Sequence, residues 1–261
     1  MVKEQLTTER NELYKEQFDM LSIGTTEYPY MAKFFENEIF PHLPAQGHFL
    51  DVGCGRGNYA RPFSEYFTQT TVVEVNEVYF NEVTAWISAQ GRNINGYNRD
   101  WLEVTLGDVQ LDLVLMSHVL YYIDADKRSR FIRKAYDLLK PGGYQVIVLN
   151  SEGCGIRKVY KEFYPQDEYE AMPSGEAMAA LLRDEGRYPH IEERIFPAEI
   201  TVESHHAMEM LIDFLLLRQV PFETEAQIAH RSQYVKNNLL CDDGQYIMDS
   251  EGTMIILRKP S

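Results

Sequence analysis

A glycine-rich turn directly after a short apolar strand constrains this chain more than any other feature. Residues 49–58 read FLDVGCGRGN, so Gly53, Gly55 and Gly57 follow a predicted strand at 48–52. Glycine lets the backbone turn tightly and approach a ligand closely, and the N-terminus of a following helix exposes free N–H groups. The segment therefore predicts a strand–turn–helix unit that holds a ligand. A plain glycine-rich connection is the alternative.

Strands and helices alternate from residue 47 onward, which indicates βαβ units in a parallel sheet. In such a sheet, ligands bind at the carboxyl ends of the strands. We predict strands at 48–52, 70–75, 94–98, 111–116 and 144–149, and helices near 58–67, 77–90 and 125–139. The turn Pro141–Gly143 marks a break before the strand that begins at Tyr144.

Helical patterns flank this alternating region on both sides. Helices are predicted at 4–21, 29–40, 155–163, 174–185, 204–219 and 223–238, with a strand near 191–197. A final pair of strands, 245–248 and 253–257, predicts a hairpin that closes the sheet as an antiparallel edge. A helix-rich insert of this kind commonly covers a pocket.

Acidic residues follow three strands of the predicted sheet. Asp51 ends the first strand two residues before Gly53, Glu74 ends the second, and Asp100 with Trp101 follows the third. A carboxylate in the first place can pair with an ammonium group, and one in the second can accept two ribose hydroxyls. An acid beside an aromatic ring suits the exocyclic amine and the face of adenine. These requirements together describe S-adenosylmethionine.

A dinucleotide site is the rival interpretation of the same turn. Counted from Gly53, the GxGxxG fingerprint fails at Asn58, whereas counted from Gly55, Ala60 completes its alanine-ended variant. The glycines alone therefore leave NAD open as a cofactor. Asp51 argues against it, because the diphosphate of a dinucleotide repels a carboxylate.

The segment Asp51–Gly57, together with Glu74, Asp100 and the turn at Pro141–Gly143, resembles the class I S-adenosylmethionine-dependent methyltransferases. The resemblance covers about residues 45–150. It implies an α/β, Rossmann-like fold with a seven-stranded, mostly parallel sheet and an antiparallel last strand. The cofactor-binding residues that it implies are Asp51, Gly53, Gly55, Gly57, Glu74, Asp100, Trp101 and Ser117.

The domain organisation expected from this resemblance is a single methyltransferase domain over residues 1–261. Residues 1–44 form an N-terminal helical cap and 45–150 the cofactor-binding core. Residues 151–243 complete the sheet and supply a helical substrate lid, and 244–261 form a C-terminal edge strand.

The stretch MSHVLYYIDADK, at residues 116–127, ends a buried strand in a histidine and two phenols. In this fold the methyl group points across the end of that strand, and the acceptor needs a free lone pair, with a base where it must lose a proton. An imidazole, whose unperturbed pKa is near ~6.5, suits that work, so His118 is a candidate catalytic residue. Tyr121 and Tyr122 suit the wall of a flat or cationic substrate. The alternatives are a hydrogen-bonded strand-end histidine and tyrosines packed under the next helix.

The N-terminal region is similar in order and spacing to that of the histamine N-methyltransferases. The similar segments are Tyr14–Phe18, Thr25–Tyr28, Met31, Phe34–Phe35, Val72–Glu74, Leu120–Tyr122 and Phe163–Asp167. The resemblance implies that Tyr14, Phe18 and Glu27 contribute to an amine pocket. A carboxylate there can pair with an alkylammonium while aromatic rings face the acceptor. The alternative for Glu27 is a solvated loop carboxylate.

Three departures separate this chain from that family. His118 stands where the family has a glutamine, and the C-terminal asparagine of the family falls near Asp249–Ser250. Residues 155–163 contain no counterpart of the paired tryptophans that line the family's pocket. The resemblance therefore implies a shared organisation with a different substrate.

The composition limits the partners. A net charge of −15 argues against nucleic acid or an anionic membrane as a partner. The expected partner is a small-molecule acceptor, and the expected oligomeric state is a monomer or a homodimer. The three cysteines form no CxxC, so we expect neither a disulfide framework nor a metal site, and a cytoplasmic location. The N-terminus reads as a charged helix, and no apolar run reaches the roughly 20 residues of a membrane helix.

The expected function is an S-adenosylmethionine-dependent methyltransferase with an amine or heteroaromatic nitrogen acceptor, using His118 and Glu27. Two other functions stay open. One is an O- or C-methyltransferase of a phenolic or indole-like metabolite with His118 as base. The other is a non-catalytic protein that binds S-adenosylmethionine.

Overall fold

A computed structural model describes residues 8–216 and 224–261 of the chain, with side chains from residue 15 onward. The described residues divide into two compact units. The sheet unit comprises residues 28–152, 171–196 and 252–261. The helical unit comprises residues 8–27, 153–170 and the described part of 197–251.

Ten helices and nine strands of the described residues are named here in chain order. They are α1 (Thr8–Gly24), α2 (Glu27–Phe34), β1 (His48–Val52), α3 (Ala60–Phe63), β2 (Gln69–Val73), α4 (Glu77–Ala89), β3 (Ile94–Tyr97), β4 (Leu111–Ser117), α5 (Ala125–Asp137), β5 (Leu139–Asn150), α6 (Gly155–Phe163), α7 (Gln166–Ala171), α8 (Gly175–Asp184), β6 (Ile191–Phe196), β7 (Glu199–Val202), α9 (His205–Leu216), α10 (Glu225–Asn238), β8 (Tyr246–Asp249) and β9 (Gly252–Arg258). None of these helices is both long enough and apolar enough to cross a membrane.

The sheet unit is built on a seven-stranded sheet in the order β3-β2-β1-β4-β5-β9-β6. The strands from β3 to β5 pair in parallel, and β9 runs antiparallel to both of its neighbours. Every residue of β1 is buried, as are the first six of β4, because helices cover both faces of a parallel sheet. The predicted Rossmann-like α/β fold with one antiparallel strand is confirmed.

The register brings the carboxyl ends of three parallel strands side by side. Asp51 lies opposite Val72 of β2 and Leu115 of β4 in the hydrogen-bonded ladders. The residues that follow β1, β2 and β4 are therefore neighbours, as the parallel arrangement requires. The predicted cofactor residues lie at or near these carboxyl ends.

The predicted C-terminal hairpin is wrong. The strand β8 pairs with β7 in a separate two-stranded sheet, whereas β9 lies inside the main sheet between β5 and β6. The first six residues of β9 are buried, which suits a central strand, whereas β8 is mostly half-buried or exposed. The C-terminal edge strand expected within 244–261 is thus an internal strand, and the edge is β6.

Several other predicted boundaries also shift. The strand expected from Tyr144 begins at Leu139, with a register irregularity in its pairing to β4, and Gly142 has a φ of +79°. The helix expected at 29–40 starts earlier, at Glu27, and continues from Phe34 as a π-helical turn and then a 3₁₀ turn over Phe40–His42. Pro41 fits the first positions of this last turn, where no backbone N–H is needed.

The helical unit combines its two-stranded sheet with α1, α6, α9 and α10. The segment after α1 is bonded to β7 through the Thr26 N–H, which donates to the Glu199 carbonyl over 3.0 Å. The capping box of Thr224 and Gln227 starts α10. The predicted end of the helix at 204–219 and the start of that at 223–238 lie outside the described residues.

Candidate functional site

The glycine turn has the backbone geometry that only glycine adopts easily. The φ angles of Gly53, Gly55 and Gly57 are +73°, +53° and +79°. A Cβ on Gly53 would stand 2.5 Å from the Cγ2 atom of Val119. The Gly53 position therefore requires glycine for two independent reasons, its φ and its close contact with the loop after β4.

Asp51 is a buried carboxylate with an unused oxygen. It is 2% exposed, and its Oδ2 atom accepts no hydrogen bond among the described residues. Burial, followed by the nearby Glu74 carboxylate, raises the pKa of Asp51 to about 8, against which a hydrogen bond from the Ala60 backbone acts. A cation brought to this oxygen would offset both causes, so the position fits an ammonium group.

Glu74 is held in place by backbone amides. Its two oxygens accept hydrogen bonds from the N–H of Gly55 over 2.9 Å and from the N–H of Asn76 over 2.7 Å. A carboxylate has about four lone-pair sites, so each oxygen can accept a further hydroxyl. The glycine turn and the end of β2 thus form one connected network, and Glu74 fits the predicted ribose diol.

Asp100 and Trp101 take different roles in the structure. Asp100 is exposed, and its side chain caps a 3₁₀ turn by accepting from the Leu102 N–H over 2.8 Å. Trp101 is 1% exposed, its indole N–H donates to the Phe131 carbonyl, and the Lys134 ammonium lies 4.3 Å from its ring centroid. The ring is therefore packed in the core, which corrects the prediction that it faces adenine. Asp100 keeps its place near the end of β3.

His118 follows β4 in a strained backbone conformation. Its φ is +51°, and it is the one non-glycine residue with a positive φ in the described part of the chain. Its N–H donates to the Val148 carbonyl over 2.9 Å, which continues the pairing between Ser117 and Val148. Residues with such strained backbone angles concentrate at functional sites. The imidazole of His118 is half-buried and belongs to the first residue after the central strand β4.

The two tyrosines after His118 differ in their surroundings. Tyr121 is half-buried, and its phenol oxygen accepts a 2.6 Å hydrogen bond from the Asn150 N–H. Its ring lies 5.9 Å from the His118 ring at 21°. Tyr122 is 45% exposed. The contact with Asn150 is one that no sequence pattern indicates, because it joins a 3₁₀ turn after β4 to the last residue of β5.

The predicted acceptor residues near the N-terminus belong to the helical unit. Glu27 is 6% exposed at the start of α2, where its N–H donates to the Thr25 hydroxyl over 3.1 Å. Phe18 is half-buried, with its ring 5.9 Å from that of Phe214. The side chain of Tyr14 lies outside the described residues. Glu27 is thus a buried carboxylate, contrary to the solvated alternative.

Asn76 is a residue that the sequence prediction left out. Its side chain caps α4 by accepting from the N–H groups of Val78 and Tyr79, while its own N–H binds Glu74. Asparagine directly before a helical pattern is a known N-cap signal, so this position could have been found.

Comparison with known proteins agrees with the geometry at the strand ends. Residues 49–143 match the family model of a methyltransferase domain. Carboxy-S-adenosyl-L-methionine synthase of Campylobacter curvus (strain 525.92) is 23% identical over 185 residues, which is 63% of this chain and 74% of that protein.

Several solved structures share the fold. A candidate methyltransferase from Bacillus halodurans C-125 has a TM-score of 0.63 and 18% identity, covering 88% of this chain and 98% of its own. The YcgJ protein of Bacillus subtilis has a TM-score of 0.61 and 12% identity, covering 90% and 98%. An S-adenosylmethionine-dependent methyltransferase from Methanosarcina mazei has a TM-score of 0.56 and 17% identity, covering 86% and 97%.

The matched domain and the fold agree with the class read from the sequence. The protein is an S-adenosylmethionine-dependent methyltransferase, and S-adenosylmethionine is its cofactor. The orphaned Oδ2 of Asp51 and the positive-φ glycine turn fit the ammonium and the close approach of such a ligand. No cluster of three or more metal-ligating side chains occurs within residues 15–216 and 224–261.

Proposed function

We propose that the protein transfers the methyl group to an amine or a heteroaromatic nitrogen of a small molecule. The observation that carries this proposal is the buried carboxylate of Glu27, which suits an alkylammonium or a protonated ring because a buried charge is favoured beside an opposite one. The half-buried ring of Phe18 in the same unit suits the apolar part of such a molecule.

The cofactor residues of this proposal all belong to the sheet unit. Asp51 holds the ammonium of the methionine part beside the turn of Gly53, Gly55 and Gly57, Glu74 holds the ribose hydroxyls, and Asp100 binds the adenine amine. Ser117 ends β4 beside this edge of the sheet and completes the proposed set. Bound there, S-adenosylmethionine supplies an electrophilic methyl group on a sulfonium.

The chain's own work is then positioning. In-line displacement needs an acceptor whose lone pair faces the methyl carbon, and well-oriented reactants gain large rate factors without an acid or a metal. His118 orients the acceptor from the end of β4, with Tyr121 and Tyr122 beside it. Glu27 binds the positive charge of the acceptor, and it favours amines over phenols.

A labelled-methyl transfer screen over amines, phenols and carboxylic acids tests the proposal. We expect turnover with amines or heteroaromatic nitrogens, and turnover confined to phenols would contradict it. The product formed from S-adenosylmethionine is also identified by its mass. This check is needed because one relative is named as a synthase of a modified cofactor, carboxy-S-adenosyl-L-methionine, and not as a methyltransferase. Calorimetric cofactor binding without any turnover would point to a binding protein.

Glu27→Gln tests the carboxylate directly. We expect kcat/KM for the best amine to fall by about tenfold or more, because a buried charged pair contributes roughly 1.5–3 kcal/mol. Glu16→Gln is the matched control, since Glu16 is an exposed glutamate on α1 of the same unit. Wild-type kcat/KM in Glu27→Gln would remove the assigned role.

A further inference from the structure

A cavity of about 470 Å³ lies between α5 and the loop that precedes β4, within the sheet unit. The loop lines it with Leu102 and residues 104–107, and α5 lines it with Arg130, Arg133, Lys134 and Asp137. Its volume is within the range of small-molecule sites, roughly 300–1,000 Å³. None of its lining residues belongs to the set proposed for the cofactor or the methyl acceptor.

The charge of this lining is opposite to that of the whole chain. Arg130, Arg133 and Lys134 stand at positions i, i+3 and i+4 of α5, so they share one face of the helix. Asp137 is the one carboxylate in the lining among the described residues, and it already pairs with Arg187 over 3.0 Å. Three cations and one carboxylate leave two net positive charges there, in a chain whose net charge is −15.

The two arginines of this face have no anionic partner in the described part of the chain. Arg130 and Arg133 are exposed, and neither forms an ion pair within residues 15–216 and 224–261. Burial first, and then the charge of Arg130, lowers the pKa of Lys134. Like charges on one helix face repel each other, so an anion bound between them would offset this repulsion.

The rest of the cavity is apolar and held in place. Leu102, Leu106 and Leu138 are half-buried and pack against the main hydrophobic core, and all three line the cavity. The Lys134 ammonium donates to the carbonyls of Trp101 and Val104, which ties the loop to the helix. The two walls are therefore joined before a ligand arrives, which lowers the ordering cost of binding.

We propose that this cavity is a second binding site, which takes a small organic phosphate, that is, a phosphate monoester on an apolar body. Guanidinium groups bind phosphate oxygens in a two-pronged geometry, and Arg130 and Arg133 supply two of them. A phosphate monoester carries a charge of roughly −1.5 to −2 at pH 7, which matches the two net positive charges of the lining. The three leucines cover the apolar body. This site is independent of the acceptor in the proposed function.

Calorimetry with phenyl phosphate tests the site, in the presence of saturating S-adenosylmethionine so that the cofactor site is occupied. We expect saturable binding of one phenyl phosphate per chain. Inorganic phosphate lacks the ring, benzyl alcohol lacks the charge, and benzoate carries a single charge, so each should bind at least about fivefold more weakly. Equal affinity for any of the three would contradict the ligand class. No saturable binding of phenyl phosphate at millimolar concentrations would overturn the site itself.

Two arginine variants test which side chains hold the phosphate. Arg130→Gln and Arg133→Gln should each raise the Kd of phenyl phosphate by about fivefold, the effect of losing one charge-assisted contact at an exposed position. Lys127→Gln is the matched control, because Lys127 is an exposed cation of α5 that pairs with Asp124 and lies outside the lining. Equal weakening in all three variants would mean general attraction to a charged helix and would overturn the inference.

Methyl signals of leucine locate the ligand. In protein labelled with 13C at the leucine methyls, the signals of Leu102, Leu106 and Leu138 should shift as phenyl phosphate saturates the protein. Each signal is assigned by its disappearance in the corresponding Leu→Met variant. Shifts confined to other leucines would place the phosphate elsewhere and would overturn the inference. Neither measurement involves methyl transfer, so failure of the proposed function would leave both results unchanged.

Discussion

The glycine-turn region and the helical unit carry their chemistry in different ways. In the first, Asp51 lies near the end of β1, the glycines follow β1 and Glu74 follows β2, and the backbone itself orients them. In the second, Glu27 and Phe18 lie on helices, and the turn before α2 is held by the short strand β7. Groups that the backbone of a sheet orients can be located from a few neighbouring residues of the sequence, whereas groups that packing orients depend on residues far away in the sequence.

Gly53→Ala should give the largest effect, because it attacks the backbone of the glycine-turn region. The left-handed φ of +73° and a Cβ at 2.5 Å from Val119 act together. We expect the free energy of unfolding to fall by roughly 2–5 kcal/mol, the sum of backbone strain and overpacking. Urea denaturation measures this change, and cofactor affinity should fall with it.

Gly91→Ala is the matched control for that prediction. Gly91 has a φ of +61°, and a Cβ there would meet no heavy atom within 4 Å among the described residues. It should therefore lose only the strain, about 1–2 kcal/mol. Equal losses in the two variants would show that the contact with Val119 contributes nothing.

Asp51→Asn tests the glycine-turn region through the pH dependence of stability. The pKa of Asp51 is about 8 in the folded protein, against 3.8 for an ordinary aspartate, the value expected in the unfolded chain. Burial of this carboxyl therefore lowers the free energy of unfolding progressively as pH rises from about 4 to 8. Relative to wild type, the free energy of unfolding of Asp51→Asn should rise by up to about 4 kcal/mol between pH 5 and 8, on the order of 1.4 kcal/mol per pH unit.

Thermal unfolding of the ligand-free protein at several pH values checks this difference. Asp126→Asn, at an exposed position of α5, is the control and should show no such trend. Cofactor binding should weaken in Asp51→Asn even where stability improves. A pH-independent stability difference would mean that Asp51 is ionised without its cationic partner.

Gly155→Ala breaks the helical unit instead. A Cβ at the start of α6 would stand 2.6 Å from the Asp249 carbonyl oxygen, so the free energy of unfolding should fall by about 1–3 kcal/mol. At Gly153 the same substitution meets nothing within 4 Å in the described structure and should change it by less than about 0.5 kcal/mol. Hydrogen exchange locates the loss, and reduced cofactor affinity would show that the two regions are coupled.

Two helix caps provide the smallest test. Thr224→Ala and Asn76→Ala each remove a side chain that accepts from its helix, at α10 and α4 respectively, at about 1 kcal/mol. Only Asn76→Ala should also weaken cofactor binding, because loss of the cap loosens the first turn of α4 and with it the backbone N–H of residue 76, which stays in the variant and donates to Glu74. Equal effects on binding, measured by calorimetry, would contradict the local network at Glu74.

Much of the sheet followed from sequence because its signals are local. The strands β1, β2, β3 and β4 were predicted to within two residues at either end, and their order follows from βαβ connection rules. The hairpin error arose because β8 pairs with β7, a strand of four residues some 45 positions earlier that has no strong pattern. Pairing partners at that distance are set by packing.

The site shows the same division. Placing Asp51 and Glu74 at the strand ends needed only the ends of apolar runs. The direction of Trp101 did not follow, because Asp100 caps a 3₁₀ turn that rotates the indole into the core. The hydrogen bond from the Asn150 N–H to the Tyr121 phenol joins positions that no short-range pattern connects.

The central position of β9 has a consequence for synthesis on the ribosome. In the finished sheet β5 and β6 both pair with β9 and not with each other, so this part of the sheet is completed only when residues 252–258 have been made. Until then, β5 presents an unpaired apolar edge, which is the kind of surface that pairs with other chains. Trapping nascent chains of increasing length should therefore show protease resistance of β5 appearing only after residue 258 has left the exit tunnel.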